Sequence, residues 1–434
     1  MTSMRRVLAE FIGVRWLRPL RTRRAIERRQ ARLLAAHLRF LRSASPYFSA
    51  LLAGRGFAEL PLMDKSVMME RFDEINTVGV RREEAMSLAI ANERSRDFTQ
   101  DLGGHSVGLS SGTSGHRGLF VVSDREREAW VGTVLARTLP RGRLFGHRIA
   151  LFLRADNSLY ESVGSRAVSF SYFDVHADMA ENLLRLHAFQ PTILVAPPSV
   201  LRIIAADAKR GGRCGRPQRV YAVAEVLEIA DARRIAHGLS QEVVHQLYQC
   251  TEGFLAHTCE RGVLHLNEDS VLIEREDLGG GRFTPIVTDL RRRAQPIVRY
   301  RLGDVLLARD EPCPCGSALQ AVERIEGREG DTLILRGIDG RAVRVFSDVI
   351  TRALLYAEGF EEYSVTQTGP DQLEIALDVL DEPTRRSVVG EVAALADRLG
   401  CRRPEIAFTP YRRDPSTKMR RVTRSWRGGF DEEL

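Results

Sequence analysis

Between residues 148 and 239 the chain alternates short β-rich runs with helical stretches, and no other feature narrows its possible folds as much. RIALFLRA (148–155), AVSFSYFDV (167–175), TILVAPP (192–198) and RVYAVAEV (219–226) are strand candidates, dense in apolar, β-branched and aromatic residues. VLRIIAADAKRGG (200–212) and EIADARRIAHGL (228–239) have helical spacing. Strand, helix, strand at these separations predicts a mostly parallel sheet with covering helices. From 262 to 309 the character shifts to β-hairpins, with Gly279-Gly280-Gly281 as a turn. After Gly327-Arg328-Glu329-Gly330-Asp331 a second pattern begins. Strand TLILRG, helix FSDVITRALLYAE, strands YSVTQTG and DQLEIALDV, helix TRRSVVGEVAALADRLG and strand EIAFTP make a compact α+β set. About 100 residues suffice for a small domain. The expected class is α/β. It comprises a large N-terminal domain, with mixed parallel sheets, helices and a β-subdomain, followed by a small α+β C-terminal domain. The expected bounds are 1–53 for an N-terminal helical segment packing on the large domain, 54–327 for the large domain, and 328–434 for the small mobile one.

The N-terminal segment is basic, with Leu8, Phe11, Ile12 and Trp16, then Leu33, Leu34, Leu38 and Leu41, at helical spacing until Ser45-Pro46. It reads as a helical layer on the main domain, with peripheral membrane contact as the alternative use of its arginines. Arg15 and Arg18 interrupt its apolar stretch, so it does not resemble a signal peptide, and no apolar run approaches membrane-spanning length. The expected address is cytoplasmic. The 434 residues are 44% hydrophobic and 28% charged, which excludes a disordered or fibrous chain. The net charge of +7 suits an anionic small molecule, an acidic partner or an anionic membrane surface, and does not call for nucleic acid. Only Lys65, Lys209 and Lys418 are lysines among 64 basic residues. Ammonium and guanidinium are not interchangeable at a tight site, so each lysine invites a reason. Lys65 and Lys209 read as ordinary survivors.

The sharpest segment is Leu109-Ser110-Ser111-Gly112-Thr113-Ser114-Gly115-His116-Arg117-Gly118. Its glycines let the backbone curl so that several N–H groups face one anion, and its hydroxyls add donors. The Walker pattern is absent, and composition alone leaves a flexible turn nearly as well supported. The order Ser-Ser-Gly-Thr-Ser-Gly resembles the phosphate loop of the adenylate-forming enzymes, the superfamily of acyl-CoA synthetases and peptide-synthetase adenylation domains. Further signatures follow in the family's order. Ala224-Glu225 resembles its adenine-side turn. Tyr248-Gln249-Cys250-Thr251-Glu252 resembles Tyr-Gly-x-Thr-Glu. Tyr300-Arg301-Leu302-Gly303-Asp304 resembles Tyr-Arg-Thr-Gly-Asp, and Gly327-Arg328-x-x-Asp331 resembles the hinge motif. Pro415-Ser416-Thr417-Lys418 stands where the family carries its catalytic lysine.

The resemblance implies ATP and Mg²⁺ as cofactors and a role for each residue. Ser110 to Gly115 and Arg117 would hold phosphates. Tyr248, with Ala224 and Glu225, would lie against adenine. Thr251 would contact the α-phosphate, Glu252 would hold Mg²⁺, and Asp304 would accept from the ribose hydroxyls. Arg328 would reach the ribose or phosphate, Asp331 would be the pivot, and Lys418, Glu252 and Thr251 would be catalytic. A hard cation favours carboxylate oxygen, which suits Glu252. Departures are His116-Arg117 in place of Lys-Pro, Gln249 in place of Gly and Leu302 in place of Thr.

Within the superfamily the chain resembles the phenylacetate–CoA ligases in Gly262 to Asp269 and Cys313-Pro-Cys-Gly316. More narrowly it resembles the ligases of xanthomonadin and aryl-polyene pigment clusters. That implies ATP-dependent activation of an aromatic acid, 3- or 4-hydroxybenzoate, and transfer to a phosphopantetheine thiol of an acyl carrier protein or of CoA. Phe170, Tyr172, Phe173, Gly253 and Phe254 are candidates for an aromatic-acid pocket, with ordinary core packing as the alternative. Cys259, His265, Cys313 and Cys315 would form a Cys₃His structural zinc site if their hairpins meet. The alternative is free thiols and a tight proline turn. Two other classes remain compatible with the sequence: a non-catalytic relative that binds a nucleotide or acyl-adenylate, and a basic membrane- or nucleic-acid-associated scaffold.

Overall fold

The computed structural model describes residues 4–17, 21–95, 97–110, 118–142, 144–153, 168–212, 214–413 and 418–426. The chain divides into two compact units, residues 1–302 with 308–323, and residues 303–307 with 324–434. The division at 323/324 falls four residues before the expected boundary, and the short segment 303–307 goes with the second unit.

The first unit opens with helices α1 (Met4–Ile12), α2 (Arg23–Ala44), α3 (Pro46–Leu52), α4 (Lys65–Glu70), α5 (Phe72–Ile75) and α6 (Arg82–Ser95). The Ser-Pro step does not end the helical layer. Ser45 closes α2 and its hydroxyl then caps α3, whose first residue is Pro46. The stripe that α2 buries is Ile26, Gln30, His37 and Leu41. Leu41 is the expected member of this stripe and Leu33, Leu34 and Leu38 are half-buried beside it; Gln30 and His37 are polar and so escape an apolar pattern. Leu8 and Trp16 are exposed, while Val7 and Phe11 face inward.

Strands β1 (His105–Leu109) and β2 (Leu119–Ser123) form an antiparallel hairpin and lead into α7 (Asp124–Thr138). Ser123 and Glu126 make a capping box at the start of α7. A Cβ on Gly132 of α7 would stand 2.6 Å from the Val7 carbonyl oxygen, so glycine there lets α1 pack closely. Arg15 then donates to the carbonyls of Ala136, Leu139 and Pro140 at the end of α7.

The alternating segment builds β3 (His147–Leu153), β4 (Val168–Asp174), α8 (Met179–Phe189), β5 (Ile193–Ala196), α9 (Pro198–Lys209), β6 (Arg219–Ala222) and α10 (Ile229–Gly238). With β7 (His245–Cys250) the strands lie in the order β4–β3–β5–β6–β7, all parallel. One face packs Phe152, Phe173, Leu194 and Val220 under α8–α10. The other packs Ile149, Leu151, Tyr221 and Leu247 under Phe11 and α7. Burial on both faces explains why these strands read as continuous apolar runs. After β7 the pairing turns antiparallel through β8 (Gly253–Thr258) and β9 (Leu264–Leu266). A long hairpin follows, β10 (Val271–Gly279) and β11 (Arg282–Asp289), with Gly279–Gly281 all at positive φ in its turn, and β12 (Tyr300–Arg301) pairs with β11.

The chain continues through β13 (Asp304–Ala308) and β14 (Ala321–Arg328). The second unit contains the hairpin β15 (Leu333–Arg336) and β16 (Ala342–Val345), then α11 (Ser347–Leu354), β17 (Tyr363–Gly369), β18 (Gln372–Leu377), α12 (Glu382–Arg398), β19 (Glu405–Pro410) and β20 (Val422–Arg424). Its four-stranded sheet has the order β19–β18–β17–β20, and the two helices share one core with it. The fully buried Gln367 amide exchanges hydrogen bonds with the Ile334 backbone and so ties the hairpin to the sheet.

Candidate functional site

The hairpin β1–β2 carries the Ser-Gly segment at its tip. Ser110 N donates to the Gly118 carbonyl at 2.7 Å, and Gly118 N donates to Ser110 Oγ at 2.8 Å, closing the neck. A Cβ on Gly108 would sit 2.4 Å from the Phe120 ring, so only glycine admits that cross-strand aromatic. Ser111, Gly112, Thr113, Ser114, Gly115 and Arg117 lie outside the described residues, as do Pro415, Ser416 and Thr417.

Below this neck lies a cleft lined by Ser110, Gly118, Phe120, Thr251, Glu252, Arg292, Gln295, Tyr300 and Lys65, among others. Thr251 and Glu252 occupy the two-residue turn between β7 and β8, where Cys250 pairs with Gly253. The Thr251 hydroxyl donates to Glu252 Oε2 at 2.9 Å, and the Tyr300 phenol donates to the same carboxylate. Burial, with the Glu252 charge beside it, pushes the Tyr300 phenol well above its usual value. Tyr300 is therefore a neutral donor at any working pH.

Two residues with no sequence signal hold this turn in place. The Arg292 guanidinium donates to the Thr251 carbonyl, to the Val121 carbonyl at 3.4 Å and to Gln295 Oε1 at 3.3 Å. The Gln295 amide clamps β2, accepting from Val121 N at 2.9 Å and donating to the Leu119 carbonyl at 3.1 Å. Asp289 Oδ1 accepts from the backbone N–H groups of Arg291 and Arg292 and so turns the chain that presents Arg292. Arg292 and Gln295 are both buried. Together they brace the strand leaving the Ser-Gly segment against the Thr251–Glu252 turn. Lys65, read from sequence as an ordinary survivor, also lines the cleft; the scarcity of lysine was the signal that could have found it.

Ala224 adopts φ +66°, a left-handed conformation that alanine rarely takes. Glu225 N donates to the Val223 carbonyl at 2.8 Å in the same tight turn, and Glu225 Oε2 accepts from Ser199 N at the start of α9. Tyr248 is buried near the end of β7. Among the described residues, none of these three lines the cleft around Glu252.

The aromatic candidates divide. Phe170 and Phe254 pack on the sheet face that carries Leu151 and Tyr221. The Tyr172 hydroxyl donates to the Leu153 carbonyl at 3.2 Å, and Gly253 opens β8. Phe173 is a correction: it is fully buried on the opposite face, stacked on Phe152 at 4.5 Å under α8–α10. Alternation along β4 sends it away from Phe170, so the two cannot share one wall.

In the second unit, Arg328 Nε lies 2.7 Å from Asp304 Oδ1, and the buried Asp331 pairs with Arg420. Burial, then the nearby Arg328 charge, lowers the Arg420 pKa. Lys418 stands half-buried two residues before Arg420, ahead of β20.

Cys259, His265, Cys313 and Cys315 come together in the first unit, with one ligand atom of each within 4.8 Å of all the others. Cys259 Sγ is 3.7 Å from Cys313 Sγ, and Cys315 Sγ is 3.4 Å from His265 Nε2. A tetrahedral zinc would set these edges at about 3.8 and about 3.5 Å, from bonds of about 2.3 Å to sulfur and about 2.0 Å to nitrogen. His265 Nδ1 is 3.0 Å from the Leu319 carbonyl. Donation there fixes the tautomer and turns the Nε2 lone pair toward the thiols. Burial, with the Cys313 and Cys259 thiols adding, pushes Cys315 up to about 12. A cation among the sulfurs would reverse that penalty.

A parallel sheet covered on both faces, an antiparallel extension and a small α+β unit together match the fold of the adenylate-forming ligases. No family model matches the chain. Its sequence is similar to the phenylacetate-coenzyme A ligase of Thermus thermophilus, at 26% identity over 245 residues, 53% of this chain and 54% of that one. The chain thus aligns with about half the length of this curated relative. Among solved structures, 2-hydroxyisobutyryl-CoA ligase in complex with 2-HIB-AMP superposes with a TM-score of 0.68 at 17% identity, over 93% of this chain and 89% of that one. An anthranilate CoA ligase in complex with anthranoyl-AMP gives 0.52 at 14%, over 72% and 65%. The amide bond synthetase McbA from Marinactinospora thermotolerans gives 0.55 at 16%, over 73% and 67%. At these identities the structural likeness establishes the fold. No helix among the described residues is long and apolar enough to cross a membrane.

Proposed function

We propose that the chain is an AMP-forming acid–thiol ligase. A carboxylate oxygen of the acid attacks the α-phosphorus of ATP, a new O–P bond forms, and the bond to the pyrophosphate oxygen breaks. A thiolate then attacks the acyl carbon, a C–S bond forms, and AMP leaves with the C–O bonding electrons. The observation that carries this reading is the convergence of Ser110, Thr251 and Glu252 on one cleft although 140 residues separate the neck from the turn. The first step needs no covalent nucleophile from the protein, so its residues act by positioning and by charge. Glu252 would hold Mg²⁺, which supplies charge neutralisation on phosphate oxygens when bound. The Thr251 and Tyr300 hydroxyls, both hydrogen-bonded to the Glu252 carboxylate, fix its position. Lys418 would offer its ammonium during adenylation.

The acid we assign is aromatic, a 3- or 4-hydroxybenzoate, with Phe170 and Phe254 supporting an aromatic wall. The acceptor is the phosphopantetheine thiol of CoA or of a carrier protein, and a chain of net charge +7 suits either acidic partner. The 2-hydroxyisobutyryl and anthranilate ligases named above lend support to the CoA arm. We assign a structural zinc to Cys259, His265, Cys313 and Cys315. Four protein ligands leave no open position, so the ion would order the hairpins and take no part in the reaction. The test is ATP–pyrophosphate exchange across a panel of benzoates, followed by thioester formation with CoA and with a holo carrier protein. Exchange with a hydroxybenzoate is the expected result. ATP binding with no exchange for any carboxylic acid would overturn the ligase reading in favour of a nucleotide-binding protein.

A further inference from the structure

We infer that Lys65 is a second catalytic cation, contacting the β- and γ-phosphates of ATP and stabilising the pyrophosphate as it leaves. The inference rests on the ligase reading and adds a residue to it.

The placement of Lys65 is over-determined by contacts that have nothing to do with lysine. Met63 forms a parallel bridge to Tyr300, with Met63 N donating to the Arg299 carbonyl at 2.9 Å and Arg301 N to the Met63 carbonyl at 2.8 Å. Arg299, at φ +46°, reaches back to the carbonyls of Ala58 and Leu60. Asp64 caps α4 through Val67 N at 2.9 Å. One turn on, the Met69 sulfur accepts from Leu119 N at 3.2 Å, which docks α4 on the strand leaving the Ser-Gly segment. The Lys65 stem lies along Gly118, where an added Cβ would meet its Cγ at 3.5 Å and its Cδ at 3.7 Å. Strand, cap and helix thus deliver one lysine to the neck of the phosphate-side segment.

The cleft that Lys65 lines also holds Ser110, Thr251 and Glu252, the groups assigned to phosphate and Mg²⁺. It does not hold Ala224, Glu225 or Tyr248, the groups assigned to adenine. Lys65 therefore faces the triphosphate end. A compact ammonium on a flexible stem can follow charge as it moves onto a departing pyrophosphate. In the proposed step the α-phosphorus–oxygen bond breaks, its electrons go to the bridging oxygen of pyrophosphate, and the Lys65 ammonium meets that charge without giving up its proton.

The experiment compares the full-length chain with Lys65→Met, which keeps an apolar stem against Gly118, and with Lys65→Arg. MgATP and AMP affinities are measured by calorimetry, beside pyrophosphate exchange and thioester formation from a supplied acyl-adenylate. Lys65→Met is expected to weaken MgATP by about tenfold or more while AMP changes by less than about twofold. Exchange should fall on the order of 10²–10³-fold, with transfer from the adenylate intact, and Lys65→Arg should recover part of the loss. Equal loss of MgATP and AMP, or unchanged exchange, overturns the assignment. Should Lys65→Met melt earlier than wild type, Lys65→Gln is read in its place by the same criteria. A wild type that binds MgATP but exchanges with no acid sinks the ligase reading, while the MgATP-to-AMP contrast still decides Lys65. A wild type that binds neither nucleotide sinks both.

Discussion

The two units hold their candidate functional groups by different means. In the first, the Thr251–Glu252 turn and the neck of the Ser-Gly segment are tied to main-chain carbonyls and N–H groups by buried side chains, chiefly Arg292 and Gln295. In the second, Asp304 and Asp331 are held by the guanidinium groups of Arg328 and Arg420, whose side chains are 42% and 34% exposed. A side chain bonded to backbone cannot shift without disturbing a strand. An exposed-side ion pair gains little net energy and exchanges partners easily. The contrast is between groups tied to the main chain and groups held by partly exposed guanidinium ions.

The largest effect lies in the first unit. If Cys259, His265, Cys313 and Cys315 bind zinc, removing it costs on the order of 10 kcal/mol of ordering energy for the β8–β9 corner. Protein purified without added metal should contain close to one equivalent of zinc, and Cys313→Ser or strong chelation should cut the melting temperature steeply. Less than about a tenth of an equivalent by metal analysis rejects the site. Because the Leu319 carbonyl pins Nδ1 of His265, His265→Ala should release the metal as Cys313→Ser does.

Next in size is the lysine of the second unit. Lys418→Ala should reduce pyrophosphate exchange by roughly 10²–10³-fold, the scale lost when a single group stabilising developing charge is removed. Transfer to thiol from a supplied acyl-adenylate should fall far less. Equal loss in both half-reactions would show that Lys418 is not the adenylation cation, and would remove the functional side of the contrast between the units.

Much of this was legible in the chain, for reasons that vary with the residue. The parallel strands announced themselves because burial on both faces demands unbroken β-branched and aromatic runs. The same property concealed which face each residue takes, and so Phe173 was grouped with Phe170 although it stacks on Phe152 across the sheet. The cysteine–histidine set was readable because only a few residue types ligate metals. Arg292 and Gln295 were not readable, since their partners Val121 and Leu119 lie more than 170 residues away and neither residue type is distinctive in an arginine-rich chain. Lys65 carried a signal in its rarity, but its meaning came only from the Met63–Tyr300 bridge. The buried stripe of α2 was legible only in part, at Leu41, because half of it is polar.

One of those polar residues separates the units again. Burial lowers His37 to about 4 and His245 to about 4, with Arg293 and Arg219 adding to the respective shifts. Both rings are neutral in the folded protein above that value, whereas in the unfolded chain they take up protons below about 6.5. Their contribution to stability is complete above pH 6.5 and is lost as the pH falls toward 4. Each loss is at most a few kcal/mol. The second unit contains no histidine, so hydrogen exchange at pH 7 and pH 5 should show protection falling in the first unit and held in the second. His37→Leu should flatten the acid limb, since neither ring nitrogen has a hydrogen-bond partner among the described residues. Equal acid sensitivity of both units would assign the effect to carboxylates instead.

The smallest effect tests the brace itself. Gln295→Met keeps the side-chain length but leaves Val121 N and the Leu119 carbonyl unpaired, which should cost about 1–3 kcal/mol of stability. If the amide only stabilises β2, kinetics at a temperature well below melting should match wild type. If it holds the neck of the Ser-Gly segment in register with the Thr251–Glu252 turn, the KM for MgATP and the Mg²⁺ requirement should rise by about tenfold, with the KM for the acid unchanged. Arg292→Lys should show the same split, because an ammonium cannot reach the Thr251 and Val121 carbonyls and Gln295 at once. A uniform loss across ATP, Mg²⁺ and acid would mean the brace supports the strand alone, and would leave the cleft no better preorganised than the ion pairs of the second unit.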